Sequence, residues 1–203
     1  MVDPSDITNY TLTDTELEEV MLFWVLAAGK NGTIASRNLH KLMKISGGYV
    51  LGPFAALRLM VDKDRYICST HPNTFPNTLK RLGIGCYNHK ARTIKELVHS
   101  GINLRTCASE QLESIFGIGR KSARCFIIHS RQGARYAGLD THVLKFLSMI
   151  GVDKVPKNTP SSKKEYLRLE AAFLRQADRC NRTSAELDLI IWNELKVVNK
   201  VTA

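Results

Sequence analysis

The stretch Ser109-Glu-Gln-Leu-Glu-Ser-Ile-Phe-Gly117-Ile118-Gly119-Arg120-Lys121-Ser122-Ala123 decides the fold. Ser109 reads as an N-cap, and Glu110 and Glu113 suit the first turn of a helix. Gly117 and Gly119 flank a single isoleucine, Ile118, so the backbone is able to turn sharply and expose its N–H groups between two helices. Ala123 is small where those helices must approach closely. N–H groups of a glycine-cornered turn, joined by the N-terminus of the next helix, make a natural seat for phosphate. That seat makes Gly117, Ile118, Gly119, Arg120 and Ser122 candidate contacts to a phosphate group.

Two further residues give the turn chemical content. Lys121 lies in the first turn of the second helix, where the dipole disfavours an ammonium group and Arg120 acts in the same sense. An amine in that setting suits nucleophilic attack; it also suits plain phosphate contact. Downstream, in Gly138-Leu139-Asp140-Thr141-His142-Val143, Asp140 reads as the N-cap of a following helix. His142 is read as a surface or packing residue.

Outward from this core the pattern is helical throughout. Residues 1–15 are polar, contain Pro4 and read as a loose arm. From Thr15, Leu17, Val20, Met21, Trp24, Val25 and Ala28 recur at three-and-four spacing. Gly29, Asn31 and Gly32 break that helix, and further helices are expected near 36–45, 53–62, 77–82, 89–100, 109–116, 120–130, 140–150, 161–178 and 183–199. Strand alternation is nearly absent, which predicts an all-α protein.

Composition sets outer bounds. The chain has 203 residues, 44% hydrophobic and 24% charged, and carries a formal charge of +10. That length supports one sizeable core or two small lobes, and the charge favours a polyanionic partner or simply a basic solvated surface. The apolar run at 20–28 is too short to span a bilayer, so no membrane association is expected. Five scattered cysteines suit a reducing, intracellular setting. Cys68-x-x-His71 and Cys86-x-x-His89 mimic a zinc ligand set, although Cys86 and His89 fit a helix start equally well; no metal is assigned.

The turn resembles the helix-hairpin-helix motif, and the pairing of Lys121 with Asp140 resembles the helix-hairpin-helix/Gly-Pro-Asp superfamily of DNA glycosylases. The resemblance extends through most of the chain. Residues 82–94, with Tyr87-Asn88 and Lys90-Ala91, look like a helix start of endonuclease III, and Phe23 to Gly29 resemble its first core helix and wedge loop. Residues 156–169 and Ser184-Ala-Glu186-Leu187-Asp188-Leu-Ile-Ile-Trp192 resemble the small archaeal-type 8-oxoguanine glycosylases. Lys200, followed by three more residues, departs from the terminal lysine of that group.

The resemblance implies a two-lobed all-α fold with the active cleft between the lobes: residues 20–133 as a helical barrel containing the hairpin (109–130), and 1–19 with 134–203 as the second lobe. It implies Lys121 as nucleophile and Asp140 as the assisting carboxylate, in a monomer acting on double-stranded DNA that contains a damaged base, 8-oxoguanine before others. Lys30 or Asn31 is the candidate wedge filling the gap left by an extruded base. Asp188 and Trp192, one turn apart, are candidates for the base pocket, with salt-bridge and core roles as their alternatives. Only Cys180 lies where endonuclease III has a four-cysteine cluster loop, so no iron–sulfur cluster and no other cofactor is expected. An endonuclease III-like action on oxidised pyrimidines, another base-modifying relative and a non-catalytic DNA-binding module are the rival readings.

Overall fold

The structure, a computed structural model, describes residues 1–66, 71 and 73–201, apart from the side chains of Arg65 and residues 196–201. The described residues form helices and loops with no strand. They divide into two compact units. The first comprises Met1–Pro4 and Thr11–Ser122, the second Ser5–Tyr10 and Ala123–Ala203. The lobes read from the sequence have other bounds. Residues 11–19 pack in the first unit because Leu12 and Leu17 are buried, and the division falls inside a helix rather than in the loop after it.

The first unit is organised by α1 (Asp14–Ala27), which is capped by a reciprocal pair. Thr13 Oγ1 accepts from the Glu16 N–H at 3.3 Å, and Glu16 Oε2 accepts from the Thr13 N–H at 2.8 Å. Leu17 and every residue from Val20 to Ala27 are buried, so the second half of α1 is apolar on all sides and runs through a core. Each large apolar side chain so buried contributes roughly 1.5–3 kcal/mol.

α2 (Gly32–Ser46) starts four residues earlier than the apolar period alone suggests. Asn31 Oδ1 accepts from the Thr33 and Ile34 N–H groups at 2.9 and 3.4 Å, which makes the Gly29–Gly32 break a cap. After α3 (Gly48–Leu51), α4 (Pro53–Lys63) begins on a proline and receives its cap from another helix: the Phe54 N–H donates to Glu18 of α1 at 2.9 Å. α5 (Phe75–Arg81) is started by Asp64, whose carboxylate accepts from the Phe75 N–H at 3.0 Å.

α6 (Tyr87–His99) presents a buried apolar face and a charged outer one. Its Lys90 is the exception, 4% exposed, and its Nζ donates to the Leu26 carbonyl at 2.6 Å. Burial pushes this amine below its usual value, and the cation meets the negative end of α1. α7 (Ser109–Glu113) is shorter than expected, and Ala108, not Ser109, holds the N-cap position. The Gln111 side chain instead accepts from the Ala108 N–H at 2.9 Å. α8 (Arg120–Ser130) follows the hairpin and passes from the first unit into the second at Ser122–Ala123.

The second unit packs α9 (Thr141–Met149), α10 (Lys163–Arg179) and α11 (Ser184–Val201). Leu144, Leu147, Tyr166, Leu169, Phe173, Leu187 and Ile191 form the centre of its core. A Thr183–Glu186 capping pair opens α11, with the Thr183 N–H donating to Glu186 at 2.8 Å. The N-terminal segment is no loose arm here. Ile7 is buried, and the Asn9 N–H donates to the His129 carbonyl at 2.9 Å. No described helix is long and apolar enough to cross a membrane.

Candidate active site

Within the first unit the hairpin is seated by α6. Gly117 has φ of 79°, and a Cβ there would strike the Thr93 hydroxyl and come within 2.8 Å of the His89 ring. Glycine is therefore dictated twice, by conformation and by space. The Phe116 ring is gripped by the Arg92 guanidinium at 3.7 Å and by the His89 ring at 4.6 Å, centroid to centroid. Glu96 accepts from the Phe116 N–H at 3.0 Å and from Arg92 at 2.9 Å, and the Arg92 bond holds its carboxyl below the usual value.

Gly119 differs. It lies outside the left-handed region, is exposed, and a Cβ there would meet nothing within 4 Å. Nothing in the described chain demands glycine at this position. Ile118 between the two is a core residue, 3% exposed. Arg120 pairs with Glu113 at 3.5 Å, Ser122 is largely buried, and Ala123 is fully buried.

Lys121 is partly exposed in the first turn of α8, and its Nζ lies 4.9 Å from the centroid of the Trp24 ring. Trp24 itself stands edge-on to Phe23, 5.1 Å between centroids. The apolar period of α1 marked Trp24 as core, which it is at 9% exposure. The second role, as the face against which the lysine rests, had no signal in the linear pattern. Of the wedge candidates, Asn31 is exposed but its Oδ1 is committed to capping α2. Lys30 is exposed too, and its side chain lies across Gly85, where a Cβ would come within 2.6 Å of Lys30 Cε.

In the second unit Asp140 is the N-cap of α9, with Oδ1 accepting from the His142 and Val143 N–H groups at 2.9 and 3.0 Å. The loop that presents it is pinned by a buried network. Tyr166 donates to the Ala137 carbonyl at 2.7 Å and accepts from the Leu139 N–H at 3.2 Å. Glu170 accepts from the Ala137 N–H and from Arg124 Nε, both at 2.9 Å. Arg124 and Glu170 are 3% and 6% exposed, so each charge depends on the other. Gly138 has no room for a side chain, since its Cβ would collide with Cys125 Sγ.

Asp188 and Trp192 lie on α11, both partly buried. Asp188 Oδ2 is 3.1 Å from Nε2 of the buried His129, and its Oδ1 lies 3.6 Å from the Cβ position of Gly138. The structure thus groups Gly117, Ile118, Gly119, Arg120, Lys121 and Ser122 in one unit and Asp140, Asp188 and Trp192 in the other. Among the described residues no group of three or more His, Cys, Asp and Glu could hold a metal ion. Cys68 of the zinc-like pair and the Lys200 side chain lie outside what the structure describes.

No family model matches the chain, and no curated protein sequence matches it closely enough to count. Solved structures do. The 8-oxoguanine DNA glycosylase of Methanocaldococcus jannaschii superposes with a TM-score of 0.63 at 21% identity, over 92% of this chain and 81% of its own. The 8-oxoguanine DNA glycosylase of Thermotoga maritima does so with a TM-score of 0.66 at 23% identity, over 91% and 81%. The fold is that of the 8-oxoguanine DNA glycosylases. A further structure with this glycosylase fold, the M. jannaschii glycosylase/lyase in complex with 15-mer DNA containing 8-oxoguanine, matches with a TM-score of 0.60 at 24% identity, over 90% and 81%.

Proposed function

We propose that this protein is a bifunctional DNA glycosylase and abasic-site lyase that removes an oxidised base, 8-oxoguanine in preference to others, from double-stranded DNA within the cell. The observation that carries the reading is Lys121 in the first turn of α8, two residues after a Gly119 that no contact within the described chain requires. A glycine without an internal reason fits a backbone that must be approached closely by something outside the protein, here a phosphate. The charge of +10 suits the same partner, and a solved neighbour of the same fold is bound to DNA containing 8-oxoguanine.

In this reading the hairpin at Gly117–Gly119, with Arg120, holds the DNA backbone while the damaged nucleotide is turned out of the stack. Lys30 fills the space left behind. The Lys121 amine forms a bond to C1′ as the glycosidic bond breaks, and the base departs with the bonding electrons and a proton. Asp140 acts as the carboxylate that accepts the lysine's proton or opposes positive charge on the sugar, worth roughly 10²–10⁴ in rate. Opening of the sugar ring gives a lysine Schiff base. Loss of the C2′ proton then expels the 3′ phosphate and nicks the strand. Asp188 and Trp192 supply the base pocket, the carboxylate accepting an N–H of the extruded base and the indole lying against its face.

The test is release of labelled bases from duplexes bearing 8-oxoguanine, an oxidised pyrimidine or an alkylated purine. The proposal expects 8-oxoguanine to be released fastest. Release of the oxidised pyrimidine alone would transfer the protein to an endonuclease III-like activity. Tight binding without release would make it a DNA-binding module.

A further inference from the structure

The second unit contains a buried polar chain of which the proposed function uses only the Asp188 end. His129, 1% exposed, stands between Thr8 and Asp188. Its Nε2 is 3.1 Å from Asp188 Oδ2, and its Nδ1 is 2.7 Å from the Thr8 hydroxyl. A carboxylate only accepts, so Nε2 carries the hydrogen that bonds Asp188, and a neutral ring then accepts from the Thr8 hydroxyl at Nδ1. The backbone of the same histidine accepts from the Asn9 N–H at 2.9 Å. The segment Ser5–Tyr10 is therefore fastened to His129 at both ring and main chain, and Ile7 anchors it in the core.

Asp188 is left asymmetric by this arrangement. One oxygen is bound to the imidazole. The other has no hydrogen-bond partner among the described residues and reaches the surface, beside Gly138 in the loop that leads to Asp140. A carboxylate on a partly exposed helix face ordinarily samples several rotamers. An immobile imidazole on one oxygen fixes the direction of the second, provided the imidazole is itself fixed.

We propose that His129 and Thr8 are positioning residues: Thr8 sets the imidazole, the imidazole sets Asp188, and the second oxygen of Asp188 is thereby aimed at the extruded base. The N-terminal segment 5–10 is thus a working part of base selection. This rests on the glycosylase reading and on Asp188 meeting the base, and the experiment separates them.

Thr8→Val, His129→Leu, His129→Gln and Asp188→Asn are compared with the intact full chain in two single-turnover reactions. One is release of 8-oxoguanine from a duplex; the other is strand nicking at a preformed abasic site, which contains no base. Thermal melting is followed for each variant. His129→Leu is expected to slow base release roughly tenfold or more, the range seen when an orienting partner is removed. Nicking at the abasic site should stay within about threefold of the intact protein. His129→Gln, whose amide is able to donate to Asp188, should recover most of the lost rate. Thr8→Val should follow His129→Leu more weakly, and Asp188→Asn should slow base release at least as much. Equal loss in both reactions, tracking the fall in melting temperature, would reduce the chain to a structural brace and overturn the proposal. So would unchanged base release in His129→Leu while Asp188→Asn is slowed; unchanged release in Asp188→Asn would instead refute the contact of Asp188 with the base. Absence of base release by the intact protein would instead refute the glycosylase reading on which the proposal rests.

Discussion

The ammonium of Lys121 rests on the face of Trp24, 4.9 Å from the ring centroid. The contact joins the first turn of α8 to the core helix α1, and it gives a long flexible side chain one preferred course. A cation over an indole is worth roughly 0.5–2 kcal/mol. By removing the surface that orients the Lys121 side chain, Trp24→Leu should slow the formation of the lysine–DNA adduct by about tenfold, and Trp24→Phe, which keeps an aromatic face, should slow it less. Single-turnover adduct formation, read beside melting temperature, checks this. Equal rates in the two variants would remove Trp24 from the chemistry.

The two hairpin glycines should respond oppositely to alanine. Gly117→Ala meets a positive φ and collides with Thr93 and His89, so it should destabilise the protein by more than about 2 kcal/mol. Gly119→Ala meets open space, and stability should change by less than roughly 1 kcal/mol. If Gly119 is reserved for a phosphate, the second variant should nevertheless bind duplex DNA about tenfold more weakly, a loss of roughly 1.4 kcal/mol. Denaturant melts and DNA titrations at one fixed salt concentration measure both quantities.

Asp140 caps α9 whatever else it does. Asparagine is as good an N-cap as aspartate, whereas alanine loses about 1 kcal/mol. Asp140→Asn should accordingly melt near the intact protein and Asp140→Ala lower, while both lose base release by roughly a hundredfold or more. Activity retained in Asp140→Asn would leave the residue as a cap alone.

The hairpin, the helical class and the capping place of Asp140 were legible in the sequence because each depends on neighbours within a few residues: two glycines, an apolar period, an aspartate before a helix. The Lys121–Trp24 contact, the α6 seat for Phe116 and the Thr8–His129–Asp188 chain were not. Their partners are distant in the chain and meet only through tertiary packing. For the same reason polar residues 5–10 read as a loose arm: Ile7 is the one large apolar anchor, and the bonds of Thr8 and Asn9 go to a residue far along the chain. The early start of α2 was missed for a local cause, because Asn31 beside two glycines has the composition of a loop and also that of a cap.

A pH effect on stability follows from Glu18. Burial raises its carboxyl above the ordinary value of 4.5, against the opposing pull of the Phe54 N–H and Arg58. A carboxyl with a raised folded-state pKa favours the folded protein most below its unfolded value, and that contribution is lost as pH climbs through the folded one. Glu18→Gln keeps an acceptor for Phe54 and cannot ionise. Its stability relative to the intact protein should therefore increase as pH rises from about 4 to about 7, measured as the difference between paired denaturant melts. A difference that is flat or falls with pH contradicts the assignment.

The central claim is a covalent one: the Lys121 amine bonds to the sugar of a damaged nucleotide. Borohydride reduction during reaction with a duplex containing 8-oxoguanine captures that bond directly. The intact protein should yield an adduct that survives denaturing electrophoresis, and Lys121→Gln, folded and still binding the duplex, should yield none. An adduct undiminished in Lys121→Gln, or no adduct from the intact protein while base is being released, contradicts the account.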